Sequence, residues 1–328
     1  MTTKFPPFLS KPILRCILTL LMLPSPAVVA ATVTVSTASE LATAVNDGSA
    51  GDTIHVAAGT YALTAPLKPK ANMTINGAGI SKTMLQPAAS WKPAKAERIE
   101  PINWDRVNKE AYLFNLGSNN GTHHVSISDM EINGLKQLHG AIAGHVINHL
   151  TVSNIYFHDF TFCGVRIVGG SNLLVRGCEF INMAVEGMDP EAGAVVFAWL
   201  SDAEFCHNRI FFATRGKYYG AGVNAGNFYG FKGRQLKKGR IHHNTIRVNF
   251  SVELPFDDNV DVEIDHNLLD NPRSEAGSML SGWTSDPASG PTRMHNNLIN
   301  NLGRVLGDIG LYNNLMFYNN HVKAPANA

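Results

Sequence analysis

The feature that most limits what this chain can fold into is a repeat that runs from Val125 to Val322. The segments V-S-I-S-D-M-E-I, L-T-V-S-N-I-Y-F, L-L-V-R-G-C-E-F, F-C-H-N-R-I-F-F, I-H-H-N-T-I-R-V, E-I-D-H-N-L-L-D, R-M-H-N-N-L-I-N and F-Y-N-N-H-V alternate apolar and polar residues about a short polar corner. Aligning one apolar position gives Met130, Ile155, Cys178, Ile210, Ile246, Leu269, Ile299 and Val322, with steps of 25, 23, 32, 36, 23, 30 and 23 residues. The floor near 23 is one turn of a stacked β-structure, and the longer steps are turns carrying inserted loops. Alternate side chains bury against the turns above and below. Parallel crossovers are overwhelmingly right-handed, so the expected fold is all-β, a single-stranded right-handed parallel β-helix.

The corners carry His207-Asn208, His243-Asn244, His266-Asn267, Asn296-Asn297 and Asn319-Asn320. Asn tolerates the left-handed backbone of such corners, and stacked amides can bond along the ladder. These histidines read as scaffold, and one could act as a general base only if its ring points outward.

Ahead of the repeat, Thr37–Asp47 reads as a short amphipathic helix with Leu41, Ala44 and Val45 on one face and Ser39 as N-cap. It would cap the open end of the stack. Thr53–Ala57 reads as a strand, Gly59-Thr60-Tyr61 as a turn, Met73–Gly77 as a strand and turn, and Trp91–Ala111 as a charged loop. Before all of these stand Lys4, Lys11 and Arg15, the apolar run Ile17–Leu23 and the small residues Ala27–Ala31. That pattern is a secretory signal. The expected organisation is a signal peptide over 1–30 and one β-helix domain over 31–328, secreted to the periplasm or medium. No later segment approaches 18 apolar residues, and Ile13-Leu14-Arg15 before Cys16 is not a lipoprotein site, so no membrane anchor is expected.

Without the signal, Cys163, Cys178 and Cys206 remain, an odd number that reads as small buried residues rather than a disulfide framework. Neither Cys-x-x-Cys nor His-Glu-x-x-His occurs, which argues against zinc. The charge is uneven. From Phe205 to Val252 there are nine Lys and Arg and no Asp or Glu, while the rest of the mature chain holds 15 basic against 26 acidic residues. A basic window in an acidic body points to a local anion site, not to a nucleic-acid surface.

The two longest steps place the inserted segments Ala184–Ala203 and Ala213–Lys238 beside that window, where they would wall a groove. Strand alternation turns Lys232, Arg234, Glu253 and Arg166 outward, with Lys232 taken as the stack neighbour of Val196, and Tyr218, Tyr219 and Tyr229 lie nearby. The chemistry that suits this set is β-elimination from a uronic-acid polymer. The C5 proton is removable once the adjacent carboxylate is neutralised by Arg, Lys or calcium, a base takes it, and an acid protonates the leaving oxygen. Lys232 is the candidate base, Arg234 or Arg166 the neutraliser, and Tyr218 or Tyr219 the acid. Lys217, Lys237, Lys238 and Arg240 supply a cationic setting that would lower the lysine pKa. Asp257, Asp258 and Asp261 offer oxygen ligands for calcium, or else form a solvated turn. Adjacent carboxylates also raise glycoside hydrolysis, but neighbours on one loop do not set the required separation.

The repeats and cap resemble secreted right-handed β-helix proteins of the pectate-lyase-like superfamily, across nearly all the mature chain. Y-G-F-K-G-R (229–234), R-I-H-H-N (240–244) and F-S-V-E-L-P-F-D-D-N-V-D-V-E-I-D-H-N (250–267) resemble the alginate lyases of polysaccharide lyase family 31. The resemblance implies poly-uronate cleavage by β-elimination, an acidic-polysaccharide substrate, and catalytic lysines, of which Lys232 lies on a matching motif. The family's further lysine has no counterpart, since no Lys occurs between Lys238 and Lys323; Arg273 is a nearby cation but stays charged. Pectin hydrolases share Asp257-Asp258, but Asn244-Thr245-Ile246 stands where they carry Asn-Thr-Asp. Two other readings of the same residues are a C5-epimerase and a non-catalytic β-helix module that binds acidic polysaccharide.

Overall fold

The structure, a computed structural model, describes residues 29–93, 111–118, 123–183, 193–211, 221–224, 236–248, 250–253, 261–271, 278–281, 291–301, 304–307 and 315–323. The chain winds as a right-handed parallel β-helix, and among the described residues the strand pairings are parallel. Three faces recur. Sheet A runs from Thr32–Val35 to Leu315–Tyr318, sheet B from Gly59–Leu63 to His321–Lys323, and sheet C from Tyr112–Ser118 to Arg304–Gly307. Long strands such as Gly140–His158 and Cys163–Arg176 pass round corners and join one face to the next. Among the described residues no helix is long and apolar enough to cross a membrane.

The core is a set of columns, each contributed by the inward residue of successive turns. In sheet A the column reads Ile54, Ile75, Ile127, Val152, Val175, Phe205, Ile241, Ile264 and Met294, all buried. In sheet B it reads Tyr61, Leu85, Ile132, Phe157, Phe180, Ile210, Ile246, Leu269 and Ile299. The Phe157 and Phe180 rings stack at 4.8 Å. Burying each such side chain contributes roughly 1.5–3 kcal/mol, which is what fixes the register. The sheet B column corrects the sequence alignment at one place. Ile210 pairs with Phe180, so Cys178 belongs with Asn208, and the step of 32 residues is a step of 30 between true equivalents.

The A-to-B corner turns in one residue of left-handed backbone: Asp129, Asn154, Gly177, His207, His243, His266, Asn296 and Asn319 have φ between 52° and 63°. The next residue points inward. From Asn208 to Asn320 it is an asparagine, and the amides form a ladder. The Asn244 backbone N–H and Nδ2 donate to Asn267 Oδ1 at 2.9 and 3.0 Å, while Nδ2 also donates to the Phe205 carbonyl at 2.8 Å. Asn208, Asn267 and Asn297 repeat the scheme. The ladder satisfies backbone groups that a sharp corner would leave buried and unpaired.

The helix Ala38–Asn46 lies at the start of the stack and buries Leu41 and Val45. Its N-cap is Thr37, not Ser39. The Thr37 hydroxyl accepts from the Glu40 N–H while the Glu40 carboxylate accepts from the Thr37 N–H, a capping box. Gly59-Thr60-Tyr61, expected as a turn, begins the strand Gly59–Leu63, and Tyr61 is buried with its hydroxyl donating to the Ala57 carbonyl at 2.9 Å. The inserted segments carry the sheet C strands Gly193–Ser201 and Ala221–Asn224; the first contains Val196, which the sequence placed in the stack, and the second was read as loop. Of the span Trp91–Ala111, 94–110 lies outside the described residues.

Candidate functional site on the outer face of sheet C

Arg166 lies on the strand Cys163–Arg176, between Val165 and Ile167 of the core. Alternation turns it to the outer face, as read from sequence, but it is not solvated there: its exposure is 3%. Its guanidinium carbon stands 5.4 Å from the Phe162 ring centroid. His139 stacks on the other part of this group, 4.5 Å from Phe162 and parallel within 2°, and Tyr112 meets His139 edge-on at 5.6 Å. Tyr112, Ala143, Phe162, Cys163, Val168 and Val196 form a second apolar cluster, separate from the core and outside the sheet. A cation packed on aromatic faces away from water is stabilised by the ring quadrupoles and keeps an unscreened field.

That field is felt by its neighbours. Burial, aided by the Arg166 charge, lowers the His139 pKa to about 3, so the imidazole is neutral at any ordinary pH. Burial pushes the Tyr112 phenol well above its usual value, with the Arg166 cation pulling weakly the other way. His139 is the member of the group that keeps an edge at the surface; Tyr112 has none.

The register sets what shares a row with Arg166. The row reads Ala143, Arg166, Val196, Asn224, Glu253 and Ser281. Arg166 and Glu253 therefore share a row, and the place after Val196 that sequence assigned to Lys232 is held by Asn224. Lys232 itself, with Arg234, Lys217, Tyr218, Tyr219, Tyr229, Arg273, Asp257 and Asp258, lies outside the described residues.

The remaining cations of the basic window are elsewhere. Arg240 is on sheet A, where its Nε and Nη2 donate to the two oxygens of the buried Asp265 at 3.1 and 3.0 Å, with Glu263 at 3.7 Å. Burial works against the Asp265 carboxylate, but the Arg240 and His266 hydrogen bonds outweigh it and hold its pKa below the usual range. Lys238 sits at a corner 3.9 Å from Asp202, Arg209 pairs with Glu179, and Arg247 lies 3.3 Å from Asp270. Lys237, next to it, is exposed. Among the described residues, Arg209, Lys238, Arg240 and Arg247 of the window thus meet acids supplied by other turns or corners. This corrects the expectation of a local anion patch for the described cations. Asp261, proposed for calcium, is 2.6 Å from Arg293.

The corner histidines do point outward: His207, His243 and His266 are exposed and stack in a column at 5.1 Å spacing, parallel within 6°. Beside them the register brings Cys206 next to His242, with Glu204 two residues before Cys206. Ligand atoms of Glu204, Cys206 and His242 lie within 4.8 Å of one another, the group of this kind among the described residues. Burial and the Glu204 carboxylate push the Cys206 thiol up to about 12. Spacing motifs miss this group because its members come from different turns. The three cysteines are free and buried, as expected, but Cys178 alone lies in the core; Cys163 and Cys206 are outside it.

No protein-family model matches the chain, and no curated protein matches it in sequence. Solved structures match its fold. A tailspike protein mutant of E. coli bacteriophage HK620 in complex with a pentasaccharide is 14% identical, with a TM-score of 0.56, over 84% of this chain and 52% of that one. The alginate lyase of Paenibacillus sp. str. FPU-7 is 12% identical, with a TM-score of 0.46, over 89% of this chain and 99% of that one. The Yersinia enterocolitica family 28 exopolygalacturonase is 12% identical, with a TM-score of 0.48, over 87% and 62%. What the tailspike likeness shows is the fold, a right-handed parallel β-helix.

Proposed function

We propose that this chain is an exported enzyme acting on polysaccharide, and more narrowly a lyase that cleaves a polyuronate, alginate first, by β-elimination. The observation that carries the reading is Arg166, held on the outer face of sheet C against Phe162 with Tyr112 and neutral His139 beside it. A buried guanidinium holds a poorly screened positive charge beneath this face, which favours a uronate carboxylate lying over His139. Neutralising that carboxylate is the condition for losing the C5 proton. His139, with its edge at the surface, marks the side from which a sugar would approach. Lys232, with Tyr218 or Tyr219, supplies the proposed base and acid. The tailspike whose fold this chain shares was solved with a bound oligosaccharide, which is consistent with a glycan along the solenoid. Export rests on the signal pattern of residues 1–30.

Purified protein is incubated with alginate, polygalacturonate and glucuronan while the ultraviolet absorbance of the unsaturated product is followed. Absorbance should rise on one of them. Arg166→Gln, which removes the charge, should lower kcat/KM by about 100-fold in protein whose circular dichroism is unchanged. No rise on any polymer, with or without calcium, refutes the lyase. Proton NMR showing inverted C5 centres in uncleaved polymer would assign an epimerase, and binding without either change a glycan-binding module.

A further inference from the structure

We propose that Glu204, Cys206 and His242 form a binding site for a zinc-type transition-metal dication on the outer face of sheet A. Glu204 and Cys206 are two residues apart on one strand, so the strand period puts both on one face. His242 is the register partner of Cys206 on the next turn. His242 Nε2 already stands 3.0 Å from Glu204 Oε1. Bonds of about 2.0 Å to nitrogen and oxygen and about 2.3 Å to sulfur leave tetrahedral ligand atoms roughly 3–4 Å apart, so side-chain adjustments alone would seat the ion.

The donor set selects the metal. A thiolate with an imidazole and a carboxylate suits zinc, cobalt or nickel, whereas calcium and magnesium take oxygen ligands. Cys206 and His242 are 2% and 7% exposed and form a fixed floor, while Glu204 lies at the surface. Three protein ligands of this kind leave a fourth position facing solvent. Neighbouring acids are engaged elsewhere: Asp265 by Arg240 and His266, Glu263 by His295.

The surroundings also fix the tautomer. His242 Nδ1 lies 2.8 Å from His243 Nδ1. With Nε2 on the metal, Nδ1 carries the proton and donates to His243, the outer partner that ligating histidines commonly have. Binding releases the Cys206 thiol proton to solvent; the carboxylate and the neutral imidazole give lone pairs with no change of proton.

The test is cobalt titration of the full chain after chelator treatment. A thiolate-to-cobalt charge-transfer band should grow to one equivalent, be displaced by one equivalent of zinc, and be absent in Cys206→Ser. His243→Ala, a positioning change, should weaken zinc binding by about 10- to 100-fold. No band in the wild type overturns the site, as does a band of full strength in Cys206→Ser, which would place the metal on another thiol. If Cys206→Ser fails to fold by circular dichroism, His242→Ala replaces it, and an undiminished band there overturns the proposal equally.

Discussion

At the scale of single residues, the group around Arg166 carries a pH signature. An ordinary histidine titrates near 6.5, and folded His139 does so near 3, because burial and then the Arg166 charge disfavour its cation. Below pH 6.5 the unfolded chain takes a proton that the folded chain refuses, so stability falls as pH falls from 6.5 toward 3, by about 1.4 kcal/mol per unit. Above 6.5 the residue makes no such contribution. His139→Gln should therefore shrink the loss of stability between pH 7 and pH 5 by about 2 kcal/mol, read from urea midpoints at each pH. An unchanged loss would mean that His139 titrates as a free imidazole. Little of this was legible beforehand. Alternation showed that Arg166 points outward, but not that Phe162, just ahead of the same strand, and Tyr112, from another turn, would enclose it. The true N-cap, by contrast, was legible: Thr37 and Glu40 have capping-box spacing, and Ser39 was the weaker choice.

At the scale of elements, the corner is what the sequence announced most clearly, because one-residue turns demand a left-handed residue and reward an asparagine after it. Asn267 accepts from the Asn244 N–H and Nδ2 and donates to the Ile241 carbonyl and Asn297 Oδ1. Asn267→Leu keeps the volume and strands these partners in the interior. It should cost at least about 2 kcal/mol by denaturant unfolding. A loss under about 0.5 kcal/mol would show that water or rearranged amides satisfy the corner instead. The misplaced Cys178 has the same origin. Its turn has Gly177 and Cys178 where later turns have His and Asn, so the alignment slipped by two residues, one full strand period, and the apolar pattern did not object. Charge was the least legible property of the elements. A linear window from Phe205 to Val252 has no acid, yet Arg209 meets Glu179, Arg247 meets Asp270 and Arg240 meets Asp265, each from an adjacent turn. In a solenoid the spatial neighbours of a residue lie one turn away, about 23 or more residues along the chain, so composition windows shorter than a turn misjudge its surface.

At the scale of the whole molecule, the repeat length, the alternation and the apolar columns agree with one another, and that agreement made the fold readable without any structure. The site is harder to read because a β-helix presents three long faces, and the period does not say which one is used. Two faces gather the groups proposed as sites among the described residues: sheet C with Arg166, His139 and Tyr112, and sheet A with Glu204, Cys206 and His242. The central claim is that a polyuronate is cut by elimination. It is tested most directly by digesting alginate in water labelled with heavy oxygen and determining the chain ends by mass spectrometry. Elimination predicts unsaturated non-reducing ends and no label in the products. Saturated non-reducing ends, with the label on C1 of the new reducing ends, would identify hydrolysis, and uncut polymer would remove the activity altogether; either result contradicts the account.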